Sequence, residues 1–137
     1  MDEAKKVVLF VCQGNTFRSV MAEAIFNASA PEGWRAESAG VEAGERTSAA
    51  ALDLLREIGV IPSSLVPRTV TTRLIDNADR LVVFGCGPGL PNHDPRELLD
   101  WPVPGGMDKS PKERELIRDE IRARVKLLIS NLGQSST

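Results

Sequence analysis

Tyrosine is absent from the 137 residues, histidine occurs once, at His93, and cysteine occurs only at positions 12 and 86. Two cysteines cannot build a disulfide framework, and no four-ligand zinc pattern can be assembled around them, so no metal is expected. A net charge of −2 leaves no basic excess, which excludes nucleic acid and anionic membranes as expected partners. Long hydrophobic runs are missing too. The apolar stretch Val7–Val11 is too short for a signal-peptide core, and nothing approaches a membrane span. A reduced, cytoplasmic setting is the expectation. What remains is an ordinary globular composition, 42 % hydrophobic and 26 % charged, at a length that suits one domain. That domain is expected over residues 1–132, with "GQSST" at 133–137 as a frayed tail.

Apolar, β-rich runs alternate with helical patterns. Lys6–Val11 reads as a strand covered on both faces, Val20–Ala28 as a helix, and Trp34–Ala39 as a second strand stopped by Gly40. Thr47–Ile58 reads as a helix capped by Thr47 and ended by Gly59, with Ala51, Leu54, Leu55 and Ile58 at helical spacing. Thr72–Ala78 suits a short helix, Leu81–Gly85 a buried strand, and Val103 in "WPVP" the last strand. Pro111–Leu132 is the clearest helix, its stripe made by Leu116, Ile117, Ile121, Val125, Leu128, Ile129 and Leu132. This order predicts an α/β domain, a parallel sheet with helices on both faces. Ligands of such sheets bind beyond the carboxyl ends of the strands, where Cys12 and Cys86 are both expected.

The stretch "VLFVCQGNTFRSVMAEA" at 8–24 carries the chemistry. A loop turning from strand into helix gathers backbone N–H groups and the positive end of the helix dipole around a concave site. Gly14 is expected to allow a turn that a side chain would obstruct, and Asn15 to take left-handed geometry and hold the loop with its amide. Arg18 offers a planar fork matched to two oxygens of a tetrahedral anion, and Ser19 a hydroxyl for the sulfur. An ordinary thiol is only about 3 % ionised at pH 7, and this set of donors favours the thiolate. Cys12 is thus the candidate nucleophile and Arg18 the oxyanion clamp. Gln13, Gly14, Asn15, Thr16, Phe17 and Ser19 are the candidate substrate-binding residues. The plain alternative is a buried strand-end cysteine beside a surface arginine.

The same stretch resembles the signature of the low-molecular-weight protein tyrosine phosphatase superfamily, which includes a branch of thiol-dependent arsenate reductases. "AESAG" at 36–40, the helix end "EIGV" at 57–60, the strand "RLVVFGC" and the final amphipathic helix extend the resemblance over nearly the whole chain. It implies a four-stranded parallel sheet flanked by helices, with Cys12 as nucleophile and no cofactor. It also hints at a cation near Asn15, Glu23 and Ser38.

Phosphatase and reductase differ in their need for a second thiol. A reductase must discharge two electrons from the Cys12–arsenate adduct, and a neighbouring thiol does this by forming a disulfide. Cys86 matches the position of the resolving cysteine in the reductase branch. "CGPGLPNHDP" lacks the third cysteine usual in thioredoxin-coupled reductases, so an external thiol, thioredoxin-like or small, would have to reduce a Cys12–Cys86 bond directly. The family's Asp-Pro acid is also missing: Gly105 and Gly106 stand in its place, with Asp108 nearby as a possible substitute. Loss of a general acid costs roughly 10²–10⁴-fold and hurts esters with poor leaving groups most. Arsenate reduction, with an arsenate or phosphate oxyanion as ligand, is therefore the expected activity. Hydrolysis of phosphotyrosine or aryl phosphates through a phosphocysteine is the alternative.

Overall fold

The computed structural model describes residues 5–62 and 66–134. Apolar, β-branched Lys6–Cys12 forms β1, from Val7 onward buried throughout. A loop leads into α1, Arg18–Ala28, followed by β2, Trp34–Gly40. α2 spans Ala49–Glu57, α3 Thr72–Asn77, β3 Arg80–Val83, β4 Leu99–Asp100 and α4 Pro111–Gln134. A single 3-10 turn, Gly87–Gly89, follows β3.

The four strands are parallel in the order β2-β1-β3-β4. After β2 the chain crosses back over β1 to lay β3 on its far side. The order therefore reverses between β1 and β3, and the crevice at their carboxyl ends is where such sheets place ligands. Alternation along β1 sends Val8, Phe10 and Cys12 into one core with α1, α2 and α4, and Leu9 and Val11 into a second core under α3. Helices thus cover both faces, three on one and the short α3 on the other. Phe10 and Phe84 both pack against the Trp101 ring in the larger core, Phe10 tilted to it and Phe84 edge to face.

Four sequence expectations need correction. The last strand is Leu99–Asp100, not Val103, because Pro102 and Pro104 bracket Val103 without an N–H to give a ladder, whereas Leu99 and Asp100 pair with Val82 and Val83. Ser48, not Thr47, caps α2; its hydroxyl accepts from the Ala51 N–H at 3.4 Å, while its own N–H is tied to the Thr16 carbonyl. Leu116 is 58 % exposed. It shares a row with Glu120 and Leu127, while Ile117, Ile121, Val125, Leu128 and Leu132 form the buried row. Finally, α4 continues to Gln134, past the expected helix end at Leu132; of the expected tail, 135–137 lie outside the described residues. The helix opens on a reciprocal capping box: Ser110 Oγ accepts from Glu113 N–H, and Glu113 Oε1 from Ser110 N–H, each at 3.1 Å. These bonds hold the exposed Glu113 carboxyl below its ordinary value. Among the described residues no helix is long and apolar enough to cross a membrane.

Candidate active site

The loop between β1 and α1 is shaped by the segment that follows β2. The carbonyls of Cys12, Gln13, Gly14 and Thr16 accept from the N–H groups of Val41, Glu42, Gly44 and Ser48 at 2.8–3.0 Å. In a planar trans peptide the next N–H points opposite to the carbonyl. The N–H groups of Gln13, Gly14, Asn15 and Phe17 are therefore turned away from that segment, toward the concave side. No side chain caps the start of α1, so its first N–H groups add to the same concavity.

Close packing makes this possible at Gly40, a residue the sequence reading treated only as a strand stop. A Cβ there would sit 2.7 Å from the Asn15 nitrogen and 2.8 Å from the Gly14 carbonyl carbon. At Gly14, by contrast, a Cβ meets nothing nearer than 3.7 Å, and its φ is not left-handed. The obstruction expected at Gly14 is thus found at Gly40. Asn15 does take the left-handed conformation, φ 55°.

Behind the loop lies a buried hydrogen-bond chain whose direction can be worked out. The Arg68 N–H donates to Asn15 Oδ1 at 3.0 Å, so the other end of that amide is the NH₂. Asn15 Nδ2 donates to Ser19 Oγ at 2.8 Å and to Ser38 Oγ at 3.0 Å. Ser38 in turn donates to the Glu23 carboxylate. Ser19 Oγ accepts from Asn15 and so has its own proton to give, and Cys12 Sγ lies 3.0 Å away. The sulfur is thus placed to receive a hydrogen bond.

Arg18, the first residue of α1, reaches across the crevice. Its Nη1 donates to the carbonyls of Phe84 at 3.2 Å and Val103 at 2.9 Å, and its guanidinium lies over the Phe84 ring. The Nε–Nη2 edge is left as a two-pronged donor. That edge borders Gly105, whose Cβ, if present, would stand 3.7 Å from Nε. Gly106 packs its backbone on the Phe17 ring; a Cβ there would fall 2.8 Å from two ring carbons.

These groups surround a cleft of about 370 Å³ lined by Cys12, Gln13, Gly14, Thr16, Phe17 and Arg18, with Ser48, Gly105, Gly106, Met107 and Arg114 around its mouth. Asn15 and Ser19, expected among the substrate-binding residues, do not line it; their side chains bond behind the loop instead. Asp108 is exposed and does not line it either. Ser48 and Arg114 had no sequence signal. Ser48 looks like any helix cap, and Arg114 like one more charge on the solvated face of α4.

Cys86 lies at the same sheet edge but on the opposite face. Its thiol donates to the Val11 carbonyl at 3.3 Å, in the smaller core, and it does not line the cleft. Burial pushes this thiol above its ordinary value against a downward pull from the Phe84 backbone, and the neighbouring Cys12 adds a further upward push. Gly85 N–H is held by Asp100 Oδ1 at 2.8 Å.

A cation near Asn15, Glu23 and Ser38 does not fit the donor set. Asn15 Oδ1 is taken by the Arg68 N–H and the Ser38 carbonyl by Arg68 Nε at 2.9 Å. Arg68 and Arg35 both line the small cavity beside Glu23. Burial pushes the Glu23 carboxyl up, opposed by Ser38 and by the Arg68 charge, so the positive charge there is already supplied by the chain.

Residues 7–87 match the family model described as low molecular weight phosphotyrosine protein phosphatase. An arsenate reductase of Bacillus cereus is 33 % identical over 138 residues, covering 96 % of this chain and 99 % of that protein. Among solved structures, the arsenate reductase of Archaeoglobus fulgidus is 37 % identical with a TM-score of 0.78, covering 90 % of this chain and 98 % of that one. The low molecular weight protein tyrosine phosphatase of T. tengcongensis is 26 % identical with a TM-score of 0.81, covering 93 % of this chain and 99 % of that one. A Cys-x5-Arg loop folded around a cleft at the switch point, with these similarities over most of the length, leads to one conclusion: the chain belongs to the low molecular weight phosphotyrosine protein phosphatase family, on the side of its arsenate reductases.

Proposed function

We propose that this chain is a thiol-dependent arsenate reductase, with Cys12 as nucleophile, Arg18 as oxyanion clamp and Cys86 as resolving thiol. Arsenate enters the cleft with oxygens on the Nε–Nη2 edge of Arg18 and on the inward N–H groups of the loop. The Cys12 thiolate attacks arsenic, and a hydroxyl leaves as water with a proton from the substrate itself. Cys86 gives up its proton and attacks the Cys12 sulfur. Arsenite then departs with the electron pair of the S–As bond, and a Cys12–Cys86 disulfide remains. An external thiol restores both cysteines, which suits a reducing, cytoplasmic setting.

The observation that carries this reading is the placement of two thiols at the ends of neighbouring strands. One faces the cleft beside Ser19 and Arg18, and the other is bonded to the carbonyl of Val11, the residue preceding Cys12. Cys86 must leave that carbonyl and turn over the sheet edge. Gly85, at φ 73°, and Gly87 flank it as hinge points.

Hydrolysis of an aryl phosphate is the second reading. In its favour, a cleft of about 370 Å³ has room for a leaving group beyond one tetrahedral anion. Against it, among the described residues no carboxylate lines the cleft to protonate that group. The test is a side-by-side assay of arsenate reduction and aryl phosphate hydrolysis by the parent protein, Cys12→Ser and Cys86→Ser. Loss of both activities in Cys12→Ser, with loss of reduction alone in Cys86→Ser, is expected. Equal arsenate reduction by Cys86→Ser and parent with the same reductant would overturn the reductase assignment.

A further inference from the structure

We propose that the mouth of the cleft is a carboxylate subsite, built on Arg114, for a small anionic thiol that regenerates the enzyme. This rests on the reductase reading above and names the reductant's chemical class.

Both sulfurs lie deep. Before Cys86 moves, Cys12 is 2 % exposed and Cys86 8 %, and Cys12 is reached through the cleft. A small molecule can enter a space of about 370 Å³ once arsenite has left. The charge of that space is one-sided. Among the described residues its lining holds the guanidinium groups of Arg18 and Arg114 and no aspartate or glutamate. Arg114, in the first turn of α4, is half-buried and held in place by its Nε, which donates to the Gly106 carbonyl at 3.0 Å. Its Nη1 and Nη2 groups form no ion pair or hydrogen bond with the described residues. The Gly105–Gly106 strip separates this cation from Arg18, because Gly105 borders the Arg18 fork and Gly106 carries the Arg114 bond. The Phe17 ring packed on Gly106 and the side chain of Met107, 83 % exposed at the rim, supply apolar surface for a carbon chain.

The entering thiol sets its carboxylate on Arg114 and its sulfur, as thiolate, on Cys12. Attack on the Cys12 sulfur forms a mixed disulfide and expels Cys86 as a thiolate, which takes up the proton the small thiol released. A second thiol molecule attacks the small-molecule sulfur of that mixed disulfide, freeing the Cys12 thiolate and a symmetric disulfide. Two thiols thus supply the two electrons and two protons that the cycle consumes.

The test compares N-acetylcysteine, its amide and cysteamine as reductants for full-length protein under arsenate turnover, each rate divided by its thiolate concentration. The parent should prefer the carboxylate thiol over the amide about tenfold in kcat/KM, and disfavour cysteamine. Arg114→Gln should abolish the preference, and Arg114→Glu should reverse it in favour of cysteamine, a gain that misfolding cannot mimic. Raised salt should erode the parent's preference. An unchanged order of the three thiols in Arg114→Glu overturns the subsite while leaving the reductase reading intact. So does a protein dithiol that outpaces the small thiols equally in parent and variant. No arsenite with any thiol overturns both.

Discussion

Ser19→Ala removes one oxygen and tests how the sulfur is held. In the parent, the Ser19 hydroxyl accepts from Asn15 Nδ2 and faces Cys12 Sγ at 3.0 Å, and Ser19 and Asn15 are 0 % and 2 % exposed. Two effects follow from the loss. A hydrogen bond to a charged group is worth about 1.5–3 kcal/mol, so without it the reactions of the Cys12 sulfur slow roughly 10- to 150-fold. An Asn15 N–H is also left buried without its partner, which costs about 1–3 kcal/mol of stability, or roughly 3–10 °C in Tm at this length. The two effects separate cleanly: Tm by thermal unfolding for the second, and Cys12 alkylation by iodoacetamide at pH 6, with arsenite release, for the first. If Ser19→Ala melts lower but alkylates and turns over within threefold of the parent, the hydroxyl supports only the fold and the account of the sulfur is wrong.

Other perturbations follow from the same contacts. Gly40→Ala forces a Cβ to within 2.7 Å of the Asn15 nitrogen, a backbone atom, so it should cost about 1–3 kcal/mol and abolish phosphate binding by calorimetry. Gly14→Ala, with 3.7 Å to its nearest neighbour, should melt within a few degrees of the parent. Gly105→Asp places a carboxyl beside the Arg18 fork, where the Cβ fits; hydrolysis of aryl phosphates with poor leaving groups should rise at least tenfold, against a general-acid contribution of roughly 10²–10⁴. No gain would mean that position 105 does not face the leaving group. Glu23 is held above its ordinary value near 4.5 by burial, so its contribution to stability is complete below that pH and is lost as pH rises through the raised value. Tm measured from pH 4 to 8 should therefore fall less over this span in Glu23→Gln than in the parent.

Much of the site was legible because its chemistry is local. One loop of eight residues carries the sulfur, the guanidinium and the hydroxyl, and the flanking strand and helix patterns place them at the sheet edge. Long-range partners were not legible. Gly40 is needed because β2 lies against the loop, Arg68 arrives from beyond α2, and Arg114 joins the cleft only when α4 folds back. Their place at the ends of inferred strands predicted that Cys12 and Cys86 share an edge, yet alternation could not assign Cys86 to the opposite face, because that residue lies past the end of β3. The misplaced last strand has a similar cause. "WPVP" has the apolar character of a strand, but two prolines deny it a ladder, and the pairing falls to the exposed Leu99–Asp100 before it.

The central claim is that two thiols of this chain together supply the electrons that reduce one arsenate. It is tested most directly by mixing reduced protein with arsenate in the absence of any other thiol, then counting arsenite, free thiols and disulfide-linked peptides. One arsenite per protein, two thiols lost and a peptide pair joined through Cys12 and Cys86 is the predicted result. Arsenite formed while Cys86 stays free, or both thiols intact with none formed, would contradict it.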